Sequence, residues 1–229
     1  TAGTATGALA GYQETRDYRG APSGTSQGRH LNSAGDDSFV NLVSPTQGAA
    51  NSAPSIGPIV FNEVMYNPVP NGDEYIELHN ITASAVNLFD SPATESPWRI
   101  EGAVDFEFPS GVVVPANGYV LVVASDPQSF RAQYGLPASV AIYGPFDGSL
   151  NNSGESVRLV RPGPSNDLGV PEYLVDRLTY DDAAPWPLAA DGTGPSLEQI
   201  NGSVFGDDSI NWMRSAFGGS PGRLNTGID

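Results

Sequence analysis

The chain predicts an all-β fold, a two-sheet sandwich with Greek-key connections, and three observations carry that expectation. Short runs of β-branched and aromatic residues recur along it. Gly, Pro or Asn bounds each run, and 27 glycines and 20 prolines are spread through 229 residues. Within the runs apolar residues alternate with period two, and a single short stretch reads as helix. Such a pattern favours two packed antiparallel layers over any architecture with crossover helices.

Residues 1–25 are rich in Ala, Gly, Thr and Ser and carry little periodic apolar pattern, so they read as linker or loop. A short internal repeat follows. Gly35-Asp36-Asp37-Ser38-Phe39 recurs as Gly206-Asp207-Asp208-Ser209-Ile210. A Gly-x-Ser element precedes each copy, at Gly24-Thr25-Ser26 and at Gly194-Pro195-Ser196, and a small-residue exit follows each, ending at Asn51 and at Asn225. Self-similarity of this kind marks a repeated module. Residues 1–51 are therefore expected to be the C-terminal end of a preceding similar module, residues 52–57 a linker, and residues 58–226 one complete sandwich.

The sandwich opens with two strands, near 59–66 and 75–79. In the first, Val60, Val64 and Tyr66 alternate with Phe61, Glu63 and Met65, so both faces carry apolar residues. Asn67 to Asp73 ends it, because Pro68 and Pro70 cannot donate to a ladder and Asn71-Gly72 tolerates positive φ. In the second strand Ile76 and Leu78 share one face, and Tyr75, Glu77 and His79 the other. Residues 83–90 read as an edge strand, 91–97 as a loop, 98–100 and 106–109 as short strands. Residues 112–124 form the strongest hairpin signal, two β-branched runs around Pro115-Ala116-Asn117-Gly118. Ser129 to Tyr134 is the helix candidate. Strands near 140–143, 157–160 and 174–180 complete the layers, with a long polar turn at 146–155. Ile76, Leu78, Val120, Val122, Leu159 and Trp186 are the expected core.

The chain has no cysteine, which excludes disulfides, zinc-thiolate sites and thiol nucleophiles. Its net charge is −16 and all ten cations are arginine, scattered singly, so binding to a nucleic-acid backbone is disfavoured. No apolar run reaches the roughly eighteen residues of a membrane span. The chain begins at Thr1 with no signal peptide before it, and so reads as an excised or processed piece.

The ordered set of motifs resembles the lamin tail domain family. The set comprises Asn62-Glu63-Val64-Met65-Tyr66-Asn67-Pro68, Glu74-Tyr75-Ile76-Glu77-Leu78-His79-Asn80, the stretch from Gly111 to Pro127, and Leu150-Asn151-Asn152-Ser153-Gly154-Glu155. Pro185-Trp186-Pro187, Asp191-Gly192-Thr193-Gly194-Pro195-Ser196, Asn211-Trp212 and Gly219-Ser220-Pro221-Gly222 then follow in order. The segment from Phe89 to Trp98 departs from the pattern as an insertion. The resemblance implies an immunoglobulin-like β-sandwich without catalytic activity. It also implies a structural or interaction module of a larger secreted or cell-surface bacterial protein, whose partners are neighbouring domains of the same polypeptide or surface proteins. The alternative is an accessory domain of an exported hydrolase whose catalytic unit lies elsewhere.

Few residues offer chemistry. Gly24-Thr25-Ser26-Gln27-Gly28 matches the nucleophile-elbow pattern but lacks the strand before it and the helix after it. His30 and His79 are the only histidines and stand at no ligand spacing. Glu63 and Glu77, each in mid-strand, could form an acid–base pair, or serve structurally by bonding to backbone or to an arginine such as Arg158 or Arg177. The structural role is the expectation, and Trp186 and Trp212 are assigned structural roles as well. No cofactor is expected. Calcium is the one ligand the loops suggest, with oxygens from Asn71, Asp73 and Glu74 in one loop and Asp207 and Asp208 in another, outside any EF-hand spacing. Asn80-Ile81-Thr82, Asn151-Asn152-Ser153 and Asn201-Gly202-Ser203 fit the glycosylation pattern.

Overall fold

In the computed structural model, residues 18–89 and 96–227 are described, together with the backbone of a two-residue strand pair, Ala2–Gly3 with Leu9–Ala10. The architecture is an immunoglobulin-like sandwich of two main sheets, with one α-helix among the described residues. A separate antiparallel hairpin comes first, β1 (Ser26–Leu31) with β2 (Asp37–Leu42). The sandwich then runs through β3 (Ile59–Met65), β4 (Tyr75–Asn80), β5 (Val86–Asn87), β6 (Arg99–Gly102), β7 (Val104–Glu107), β8 (Val113–Val114) and β9 (Tyr119–Val123). Helix α1 (Pro127–Tyr134) precedes β10 (Ala141–Tyr143), β11 (Asp147–Gly148), β12 (Glu155–Pro162), β13 (Glu172–Tyr180), β14 (Leu197–Gln199) and β15 (Trp212–Arg214).

One sheet has the order β10-β9-β4-β3-β14-β15 and the other β11-β7-β6-β12-β13, so the chain passes back and forth between the layers. All pairings in the two sheets are antiparallel except β9 with β10, which α1 connects. Between the sheets lie Phe61, Ile76, Leu78, Val120, Val122 and Leu159, all buried, as expected for the inward set of each strand. Trp186 is a correction: it only leans on this core, half-buried, because it follows Pro185 in a loop rather than in a strand.

Two further expectations needed correction. The alternation expected along the first strand breaks at Asn62, where a bulge lies between Phe61 and Glu63. Phe61 and Val64 therefore both face the main core, while Glu63 and Met65 turn to the outer face. The expected hairpin across 112–124 does not form. β8 pairs with β5, whereas β9 pairs with β4 with Val120 opposite Leu78. The turn itself is as read, with Asn117 at φ 53° and Gly118 N–H donating to Pro115 O at 2.9 Å. Its two arms serve different sheets because the buried Asn80 amide holds Val114 O and Pro115 O, tying the first arm down at the end of β4. The edge strand expected at 83–90 shortens to β5, and the loop at 91–95 lies outside the described residues.

α1 begins two residues earlier than expected. Asp126 caps it by accepting from Ser129 N at 2.9 Å, Pro127 occupies its first turn, and Gly135 at φ 61° ends it. Its Phe130 joins Met65, Tyr75, Leu121, Val123 and Ile142 in a second apolar cluster on the outer face of the six-stranded sheet. That face is therefore covered on its β9–β10 side by the helix. What covers its β3–β14 side is the candidate site.

Candidate functional site

Strand register sets a line of carboxyl groups. Glu63 of β3 stands opposite Glu77 of β4, and on its other side opposite Glu198 of β14. The line continues to Leu121 on β9 and Met213 on β15. Three glutamates thus sit side by side on adjacent strands, and all three are 0% exposed. Like charges directly opposed across strands destabilise a sheet, and burial makes the cost far larger.

Among the described residues no cation is paired with them. Of the two structural alternatives, backbone or an arginine, neither named arginine is the partner: Arg158 pairs with Glu101 at 2.9 Å and Arg177 with Asp207 at 2.6 Å. The donors are neutral instead. Glu63 Oε1 accepts from Tyr75 Oη at 2.6 Å, Ser196 Oγ at 2.5 Å and Ser220 N at 2.8 Å. Glu77 accepts from Asn62 Nδ2 at 2.7 Å and Gly222 N at 2.5 Å, and Glu198 Oε1 from Ser220 Oγ at 2.6 Å. Asn225 completes the set, its amide reaching Asn62 O at 3.0 Å and Gln199 O at 2.8 Å. Ser220, Gly222 and Asn225 all belong to the closing segment, which lies over the β3–β14 half of the face. Gly219, at φ 77°, is required there, because a Cβ would run into Tyr75 Oη and Glu63 Oε1.

These surroundings favour the neutral acids. Burial pushes the Glu63 carboxyl up to about 7 against the opposing bonds from Ser196, Tyr75 and Ser220. Glu77 is driven well up by burial and then by Glu63, and Glu198 is raised by burial. Glu63 Oε2 and Glu198 Oε2 are buried without a hydrogen-bond partner, which a fully ionised carboxylate tolerates poorly. A fourth such group, Asp176 of β13, accepts from Phe61 N at 2.8 Å beside the bulge, and burial raises it to about 7.

Neither Glu198, Asn62, Asn225 nor Asp176 was singled out from the sequence as part of this site. The available signal was the one that marked Glu63 and Glu77, a carboxylate inside an apolar strand, but β14 has only three residues. Of the structural tryptophans, Trp212 is buried and donates from Nε1 to Gly206 O at 2.6 Å, and its ring lies 6.3 Å from that of Trp186.

The calcium candidates are placed apart in use. Glu74 accepts from Leu150 N at 2.8 Å, while Asn71 is the positive-φ residue of the turn that also carries Asp73. Asp207 accepts from Arg177 Nε and Thr179 N, both at 2.7 Å, and Asp208 accepts from Ser33 N at 2.9 Å and Ser33 Oγ at 2.5 Å. Among the described residues no group of three or more His, Cys, Asp or Glu is arranged to hold a metal ion. His79 stacks on Tyr119 and His30 meets Phe205 edge-on. Ser26 of the elbow-like motif opens strand β1 rather than a helix. Asn80, the first glycosylation candidate, is fully buried with its amide committed to three backbone carbonyls.

An immunoglobulin-like domain whose buried carboxyls fasten its own closing segment is the class that fold and site define. The particular family is the lamin tail domain, whose model matches residues 52–182, more than half of the chain, and the chain belongs to it. No curated protein and no solved structure matches the chain. The matched residues end before β14 and the closing segment.

Proposed function

We propose that this chain is a non-catalytic module of a larger secreted or cell-surface bacterial protein, working outside the cell to space and attach its neighbours. Its partners are adjoining domains of the same polypeptide or other surface proteins, met through edge strands and loops. One observation supports this most: the carboxyls that most resemble an acid–base pair are sealed beneath Gly219, Ser220 and Gly222 and accept hydrogen bonds from the last two, so no substrate can reach them. The protein should show no turnover above buffer on a panel of glycosides, esters, phosphate esters and peptides. Turnover that disappears in Glu63→Gln would overturn the reading.

Calcium has no part in this proposal. Coordination at Asp207 or Asp208 would displace Arg177, Thr179 or Ser33 from oxygens they already occupy. Adding millimolar calcium should therefore leave the melting temperature unchanged. A rise, which mass action on the folded state would produce, would restore the loops as a metal site.

A further inference from the structure

The hairpin β1–β2 is fastened to the sandwich at several points. Ser33, in the turn between its strands, donates to the Asp208 carboxyl from its backbone N at 2.9 Å and from Oγ at 2.5 Å. Asn41 of β2 donates from Nδ2 to Leu174 O of β13 at 3.0 Å, while its Oδ1 is held by Gln27 Nε2 at 2.9 Å. His30 meets Phe205 with ring centroids 4.9 Å apart. Just before the hairpin, Arg19 bonds both Glu101 and Glu172, and Gly20 pairs with Tyr173 of β13, the edge strand of its sheet. Gly20 is required there, since a Cβ would stand 2.9 Å from Tyr173 Cε1.

These hydrogen bonds run one way. Arg19, Ser33 and Asn41 donate, and Glu101, Glu172, Asp208 and the Leu174 carbonyl accept. A carboxyl-rich face, in a chain of net charge −16, is thus met by a segment that presents donors. The tether also has little slack. Val43 N donates to Ala53 O at 3.0 Å and Ser55 N to Asn41 O at 2.8 Å, so residues 53–55 run along β2. Pro58 O already accepts from Ile81 N at 3.1 Å, which leaves Ile56 and Gly57 between hairpin and sandwich. A hinge needs backbone free to absorb a change in φ and ψ, and here the bonded segments almost meet.

The hairpin also has the form of a module's closing end. Besides the shared Gly-Asp-Asp-Ser motif, each strand pair is followed by an asparagine that folds back on its first strand. Asn51 Nδ2 donates to Arg29 O at 2.9 Å, as Asn225 Nδ2 donates to Gln199 O at 2.8 Å.

We propose that Glu101, Glu172, Tyr173, Leu174 and Asp208 form a docking surface for the closing hairpin of a neighbouring lamin-tail module. β1–β2 is its occupant, and the clasp fixes the orientation of one module on the next. The inference rests on the reading of the chain as a spacing module and deepens it, because a spacer transmits direction only where its joints are stiff.

The test uses the full chain with a protease site inserted between Gly48 and Ala49, which are exposed beyond β2. After the cut no covalent bond joins the hairpin to the sandwich, and the two pieces should still co-elute in size-exclusion chromatography. In the uncut, isotopically labelled chain, residual dipolar couplings of β1–β2 and of both sheets should fit a single alignment tensor. Arg19→Ala combined with Asn41→Ala removes donors to the surface and leaves the β1–β2 ladder intact. The cut pieces of this variant should separate, and its hairpin couplings should require a tensor of their own. Two tensors in the parent, parent pieces that part while the larger keeps its native spectrum, or a double variant that behaves as the parent would each overturn the proposal. None of these results bears on whether the module is catalytic, which the substrate panel decides separately.

Discussion

Glu63→Ala is expected to cost about 3–5 kcal/mol of folding stability in urea unfolding, among the largest effects open to a single substitution here. The loss has a specific origin. Tyr75 Oη, Ser196 Oγ and Ser220 N all donate to one oxygen of Glu63, and all three bonds are buried. Truncation orphans three donors at once, each worth about 1–3 kcal/mol when left unsatisfied, with some relief as water enters the gap. Glu63→Gln retains an acceptor of the same shape and, measured below pH 6, should cost less than about 1.5 kcal/mol, because burial favours the neutral form of the acid it replaces. Glu107→Ala, at an exposed position, should stay within about 0.5 kcal/mol. Glu172 would be a poor control, since it is paired with Arg19 and Arg99. If Glu63→Ala unfolds at the parent's urea midpoint, the three bonds contribute nothing and the structural reading of the line fails.

How far this could be read from sequence depends on whether the determinant is local. The core residues of β4 and β9 were legible because alternation alone sends Ile76 and Leu78, or Val120 and Val122, to one side. Helix α1 was legible at Ser129–Tyr134 but not its first two residues, because Pro127 reads as punctuation ahead of a helix and here fills its first turn behind the Asp126 cap. The pairing of β8 was not. A β-branched run before a Pro-Ala-Asn-Gly turn looks the same whether it pairs with the run after the turn or with β5, and what decides is Asn80, far away in the chain. The bulge was hidden for a similar reason. Phe61 and Glu63 have the same parity, so only insertion of Asn62 lets one face the core and the other the outer face.

The site was half legible. A mid-strand glutamate signals a structural or catalytic task, and Glu63 and Glu77 were found on that ground. Their neutral partners were not, because serine, glycine and asparagine in a C-terminal loop carry no such signal until register brings them over the sheet. An arginine partner, one of the two structural alternatives the sequence offers, presupposes charged carboxyls. Burial instead makes the proton the counter-ion, which turns a static feature of the fold into a property that varies with pH.

Stability should accordingly fall as pH rises from about 4.5 to about 7.5. Burial raises Glu63 from 4.5 to about 7 and Asp176 from 3.8 to about 7. Each acid therefore keeps its proton in the folded state over a range where the unfolded chain has lost it. The folded state binds more protons there, so the slope of stability with pH is negative. The contribution is fully present below the unfolded values and is lost as pH passes through the folded ones. It amounts to on the order of 3 kcal/mol for each group, since every tenfold gain in proton affinity on folding is worth about 1.4 kcal/mol. For a domain of this size the two together correspond to a melting temperature about 10–20 °C lower at pH 7.5 than at pH 4.5. General repulsion in a chain of net charge −16 acts in the same direction, so the parent's profile alone does not identify the groups. Glu63→Gln and Asp176→Asn separate the causes. Each should flatten the profile clearly, the remaining slope coming from the other group, from Glu77 and Glu198 and from general repulsion, whereas Glu107→Gln removes one charge at an exposed position and should leave the slope as it was. A melting temperature that holds or rises over this range would mean that the carboxyls are ionised in the fold. Their stability would then require a cation, which none of the neutral donors around Glu63 supplies.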